Sequence, residues 1–149
     1  MKIAIGCDQN ALDMKNAILE LLNEKEIEYT DFGVFTKEPV DYPDIAKEVA
    51  YAISKGKFDR GILICGTGLG MAMAADKVKG IRAATCSNVY QAERAIKSNN
   101  AQIMALGAQV TGIELAKLLV IAWLNSEFQG GRSEVKVNKI MKIEEENFN

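Results

Sequence analysis

The chain of 149 residues contains no histidine. Any acid–base chemistry must therefore use carboxylates, thiols, hydroxyls, amides, lysine or water. Cysteine is scarce too: Cys7, Cys65 and Cys86 are an odd set without CxxC spacing. That pattern speaks against a disulfide or zinc framework and for reduced thiols in a cytoplasmic protein. No apolar run approaches membrane-spanning length, and no charged N-terminal segment precedes an apolar one, so neither a membrane segment nor a leader is expected. Charge of one sign is not in excess. With 18 Lys and Arg against 20 Asp and Glu, the net charge of −2 offers no basic surface to nucleic acid or anionic lipid. Internal repeats, low-complexity tracts and long linkers are absent.

What remains is 48% hydrophobic and 26% charged, the balance of an ordinary soluble globule. The length predicts one domain, residues 1–149, large enough for a real core. Met1–Cys7 reads as a strand, followed by the polar turn Asp8-Gln9-Asn10. Leu12, Ile18, Leu21 and Leu22 recur at helical spacing over Ala11–Asn23, with lysine and glutamate between them. Ile27–Phe32 reads as a second strand. A loop around Pro39 and Pro43 leads to a helix over Asp44–Lys55, with Pro43 suited to its first turn. Gly61–Ile64 is the third strand, Ile81–Cys86 the fourth and Gln102–Leu106 the fifth. Helices are expected after the third strand, over Val89–Ser98 with Ser87 or Asn88 as cap, and over Ile113–Asn125. Gln129–Ser133 reads as a loop before a polar last helix, Glu134–Glu146. Five alternations of strand and helix predict a three-layer α/β sandwich: a five-stranded parallel sheet with helices on both faces, plus an extra C-terminal helix. The last helix is too charged for central core, and the Trp123 helix is a candidate interface element.

Gly61–Gly70, GILICGTGLG, is the most informative stretch. A buried strand runs into a turn with glycine at every second place, then into the helix formers Met71–Ala75. Loop amides converging on a helix start favour an anion. Cys65 and Thr67 place a thiol and a hydroxyl in the same turn. The turn is not a P-loop, which ends in GK[ST], nor the GxGxxG dinucleotide fingerprint. In parallel sheets the ligand crevice lies beyond the carboxyl ends of the strands, where Asp8, Cys65 and Ser87 all fall. Each candidate also has an ordinary structural explanation. A cysteine at a strand end is often a small buried hydrophobe, Asp8 suits a helix cap, Asn99 suits a helix C-cap, and Arg132 suits a solvated loop.

The chain carries GCD at Gly6–Asp8, DYPD at Asp41–Asp44, ICGTGLG at Ile64–Gly70, KGIRA at Lys79–Ala83, SNN at Ser98–Asn100 and GGR at Gly130–Arg132. Taken in this order over nearly the whole length, these motifs resemble the ribose-5-phosphate isomerase B family and its galactose-6-phosphate isomerase relatives. The resemblance implies a Rossmann-like domain and a homodimer, often a tetramer, with active sites at the subunit interface. It implies interconversion of aldose and ketose phosphates without metal or cofactor. It implies that Cys65 is the base between C1 and C2 and that Thr67 assists ring opening or proton transfer. The amides of Gly66, Gly68 and Gly70 would hold the enediolate oxygens. Asp8 and Asn99 would bind sugar hydroxyls, Tyr42 would lie near the substrate, and Arg132 would grip phosphate from the partner subunit.

The chain departs from that pattern where the family often carries histidine, at Gln9, Ser98 and Ser133, and where it carries arginine, at Lys136. Gln9 can still donate a hydrogen bond, and Lys136 can neutralise phosphate as a point charge. Ser98 is a poor proton shuttle at neutral pH, and the family's ring-opening histidine stands at that place. A four-carbon sugar 4-phosphate cannot close a five-membered ring, so an isomerase for erythrulose or erythrose phosphate would not need it. The pentose phosphate reading is kept first. Four- and six-carbon substrates, a phosphosugar-binding module without turnover and a subunit needing an unlike partner are the alternatives. A bare flavodoxin-like or receiver domain is disfavoured, because a receiver needs a phosphorylatable aspartate where this chain has Cys65.

Overall fold

A computed structural model describes residues 1–148. Five parallel strands, β1 (Lys2–Cys7), β2 (Glu28–Asp31), β3 (Arg60–Cys65), β4 (Ala83–Thr85) and β5 (Ile103–Gly107), lie in the order β2-β1-β3-β5-β4. The expected sandwich is therefore observed. Around the sheet stand α1 (Leu12–Glu24), α2 (Tyr42–Ser54), α3 (Leu69–Ala75), α4 (Val89–Lys97) and α5 (Ile113–Leu124), with α6 (Arg132–Asn147) as the extra C-terminal helix.

Strand residues alternate between two cores, as a period of two dictates. Ile3, Ile5, Cys7, Ile62, Ile64, Met104 and Leu106 join α1, α4 and α5. Ala4, Leu63, Cys65, Ile103 and Ala105 join α2 and α3. Gly6 and Gly61 allow α2 its close approach: a Cβ at either would sit 2.6 Å from an isoleucine methyl of that helix. No helix among the described residues is long and apolar enough to cross a membrane.

Several sequence expectations need correction. β4 spans three residues because the Arg82 N–H before it is taken by the Gln102 side chain instead of the sheet. α2 starts at Tyr42, two residues early, with Pro43 in its first turn as expected. α6 starts at Arg132, so this residue belongs to a helix and not to the preceding loop. Trp123 is fully buried against the sheet, with the Arg60 guanidinium over its ring and donating to its carbonyl at 2.7 Å. The exposed residues of α5 are Ile113, Glu114, Leu115 and Leu118.

Lys15, placed by helical spacing among polar positions, is fully buried. Its ammonium donates to both Asp31 oxygens, at 2.7 and 2.9 Å, and to the Val34 carbonyl. It therefore ties α1 to the end of β2 and to the loop leading to Tyr42. Lys15→Met strands the Asp31 carboxylate without its cation. The expected loss is about 3 kcal/mol, toward the lower end for a broken buried pair because Asp31 keeps some solvent. Urea midpoints measure it, and a loss below about 1 kcal/mol would show that water replaces the ammonium.

Candidate active site

β1 and β3 carry the first cluster at their carboxyl ends. Asp8 follows β1, and its N–H donates to the Ile64 carbonyl at 3.1 Å, tying it to β3. Asp8 is 5% exposed. Its carboxylate accepts from the Asn10 N–H at 3.0 Å and the Asn10 amide at 3.3 Å. Asp8 thus caps the first turn, and its spare lone pairs remain for a ligand. Gln9 accepts from the Val40 N–H at 3.0 Å, which pins the loop before Tyr42.

Cys65 ends β3 with 4% exposure, its sulfur nearly covered within the single chain. It is set apart from an apolar filler by one contact: the Gly68 N–H donates to Sγ at 3.1 Å. A backbone donor on sulfur stabilises negative charge there. Gly68 achieves this with φ +79°, a left-handed conformation natural to glycine. In the single chain the Gly68 amide is thus engaged by the sulfur, whereas the sequence expectation has it holding an enediolate oxygen. The N–H groups of Gly66 and Gly70 have no protein partner among the described residues. Thr67 is exposed, and its hydroxyl accepts from the Leu69 N–H at 3.3 Å.

The loop is held on three sides. The Cys65 and Gly66 carbonyls accept from Ala108 and Gln109, each at 2.9 Å. The Thr85 hydroxyl donates to the Gly68 carbonyl at 3.2 Å. The Tyr42 ring rests on Gly70, where a Cβ would come within 2.4 Å of Cζ. Thr85, Gly107 and Gln109 were missed in the sequence, although the strand-end rule that selects Cys65 applies equally to them. A Cβ on Gly107 would lie 2.6 Å from the Thr67 carbonyl carbon and oxygen. Gly107→Ala is therefore expected to displace the loop, lowering turnover about 100-fold and stability by about 1–3 kcal/mol. A steady-state assay beside a melting curve checks both; full turnover would mean that the loop's position is not critical.

The other cysteines are packing residues. Burial pushes the Cys7 and Cys86 thiols up to about 11, which keeps them protonated and inert at neutral pH. Ser87 caps α4 jointly with Asn88: Gln91 Oε1 accepts from the Ser87 N–H, while Asn88 accepts from the Gln91 N–H. Among the described residues no group of three His, Cys, Asp or Glu is placed to hold a metal.

Ser98, Asn99, Arg132 and Lys136 are not brought to this cluster. α4 runs back along the sheet, so Ser98 and Asn99 lie at the amino ends of the strands. A five-residue strand such as β5 puts the two edges about 17 Å apart. The Ser98 hydroxyl accepts from Arg94 Nε at 2.7 Å. The Gln129 N–H donates to the Lys97 carbonyl at 3.2 Å, drawing the start of α6 to the same corner. Arg132 and Lys136 stand one turn apart on α6, both exposed and neither ion-paired among the described residues. Asn99 borders a cavity of about 560 Å³ between β4 and α6. One chain thus carries two groups of polar residues: a thiol with backbone donors at one edge, and an amide with two cations at the other.

The model of the Ribose/Galactose Isomerase family matches residues 3–140. Ribose-5-P isomerase B of Listeria innocua is 52% identical over 147 residues, covering 99% of each chain. D-erythrulose-4-phosphate isomerase of Pectobacterium atrosepticum is 54% identical over 141 residues, covering 94% of this chain and 93% of that one. The solved structure of Clostridium thermocellum ribose-5-phosphate isomerase B superposes with a TM-score of 0.96 at 49% identity, covering 98% of this chain and 99% of the other. With the family's motifs in register and its fold reproduced along the chain, this protein belongs to the ribose/galactose isomerase family.

Proposed function

We propose that the whole chain acts as one domain that interconverts an aldose phosphate and a ketose phosphate, with ribose 5-phosphate and ribulose 5-phosphate as the first pair. The Cys65 thiolate removes the proton on C2 of the open-chain aldose, and the electron pair moves toward the C1 carbonyl. The resulting enediolate places negative charge on oxygen. The free N–H groups of Gly66 and Gly70 meet it, which is how preorganised donors lower such a barrier. The proton returns from sulfur to C1, and the hydroxyl proton on O2 is transferred to O1 with Thr67 in reach. Nothing is gained or lost, so the step is an isomerisation. Asp8, Gln9 and Tyr42 flank the sugar. The observation that carries this reading is the Gly68 N–H on the Cys65 sulfur beside unpartnered loop donors.

Asn99, Arg132 and Lys136 complete the site from a second copy, because each chain holds them at the far edge of its own sheet. Two copies related by a two-fold axis form two whole sites. Arg132 and Lys136 neutralise the phosphate, and Asn99 takes a sugar hydroxyl.

A four-carbon substrate is the second reading, favoured by Ser98. Its oxygen lies under the Arg94 guanidinium at 2.7 Å, a poor setting for opening a sugar ring. The Pectobacterium relative carries that activity in its name. A panel of four- to six-carbon aldose and ketose phosphates separates the readings. The expected result is kcat/KM for ribose 5-phosphate at least equal to that for D-erythrulose 4-phosphate. A tetrose preference of about tenfold or more transfers the assignment to the four-carbon reaction. Calorimetric binding with no conversion of any member supports a sensor instead.

A further inference from the structure

The KGIRA motif has no part in the chemistry above, yet its arginine is the junction of the distal polar group. Arg82 Nε and Nη2 both donate to the Asn100 carbonyl, at 3.0 and 2.8 Å. Asn100 has φ +47°, a left-handed turn that a non-glycine residue holds only when its surroundings impose it. This turn directly follows Asn99. The third arm, Nη1, meets the Met141 sulfur of α6 at 3.0 Å, the helix that carries Arg132 and Lys136. The arginine is itself clamped. Its N–H donates to Gln102 Oε1 at 2.8 Å, and Gln102 Nε2 donates to the Gly80 carbonyl at 2.7 Å. The Gly80 N–H donates to Glu144 of α6 at 2.8 Å.

We infer that Arg82 is a positioning residue: its forked guanidinium sets the Asn99–Asn100 turn and α6 relative to each other, so that the sugar amide and the phosphate cations face one ligand together. It touches no substrate. The inference rests on the reading of Asn99 as a substrate contact. A lysine cannot replace it, since one ammonium point charge cannot span the Asn100 carbonyl and Met141 with a planar fork. The contacts it orders bind parts of the substrate remote from the reacting carbons, so their loss acts on binding more than on turnover.

The experiment is a double-mutant cycle on the full-length enzyme with its sugar phosphate. Arg82→Lys and Asn99→Ala are each expected to raise KM about tenfold while kcat changes by less than about threefold. The double variant is expected to be worse than Asn99→Ala alone, but by clearly less than the roughly tenfold that Arg82→Lys costs by itself, because the share of Arg82's effect that passes through that turn is already lost. A merely structural arginine would give additive losses or a lower kcat at unchanged KM, and either result overturns the inference. A raised KM in Asn99→Ala with an unchanged KM in Arg82→Lys overturns the role of Arg82 alone. No effect in Asn99→Ala overturns the reading of Asn99 and the inference with it. Should Arg82→Lys fail to fold, Met141→Leu takes its place in a cycle with Arg132→Ala, whose helix that contact holds, with an expected rise of about two- to threefold in KM; an additive or null outcome there is equally decisive against the inference.

Discussion

Cys65→Ala is expected to lower kcat/KM on the order of 10³-fold and to abolish exchange of the substrate C2 proton with solvent, with the fold intact. The magnitude is that of removing a positioned base. The fold should survive because the sulfur is not what holds the loop. The Cys65 and Gly66 carbonyls are bonded by the Ala108 and Gln109 N–H groups, and Gly68 by Thr85. Those bonds use main chain that alanine retains. The lost sulfur leaves a hole of about one methyl group, worth about 1 kcal/mol. A coupled isomerase assay and proton-exchange NMR make the measurement, with a melting curve as control. An alanine variant retaining a tenth or more of wild-type turnover would reduce Cys65 to core packing, which its 4% exposure also allows.

Mixing two impaired variants should restore activity. Arg132→Ala loses a charge-assisted phosphate contact, worth about 1.5–3 kcal/mol, or roughly 10- to 150-fold in kcat/KM. The residue is exposed, so folding is undisturbed. In a hybrid of this variant with Cys65→Ala, one site combines Cys65 from the first chain with Arg132 from the second. That site is whole, and the other carries both lesions. Random exchange makes about half of the dimers hybrid with one good site of two, so about a quarter of wild-type activity returns. Native mass spectrometry confirms exchange. A mixture of exchanged dimers no more active than its components would mean that each chain serves its own site. The wide separation of the two polar groups within one sheet makes that outcome incompatible with the function proposed above.

Much of the group around Cys65 was legible in the sequence. Strand ends at Cys7 and Cys65 could be counted from apolar runs, and parallel topology places whatever follows them at one edge. The glycine spacing around Thr67 announced a loop that something approaches closely. The structure gives that closeness a direction: Tyr42 against Gly70, and Gly107 against Thr67. It also gives Gly68 a different duty, because which amide meets the sulfur depends on a left-handed φ that spacing does not reveal. Lys15 shows the same limit from another side. A lysine between apolar helical positions reads as a solvated face until a carboxylate from a later strand reaches it.

The amino-acid sequence by itself determined the layered α/β architecture and the chemistry available at position 65. Both follow from local rules: the periods of strand and helix, the conformational freedom of glycine, and the absence of histidine. Only the tertiary structure decided that Ser98, Asn99, Arg132 and Lys136 stand on the opposite edge from Cys65, and that Trp123 is core. Those are consequences of the direction in which α4 and α5 return along the sheet and of how α6 is anchored through Arg82 and Glu144. They rest on contacts between residues distant in the chain, to which local periodicity is blind.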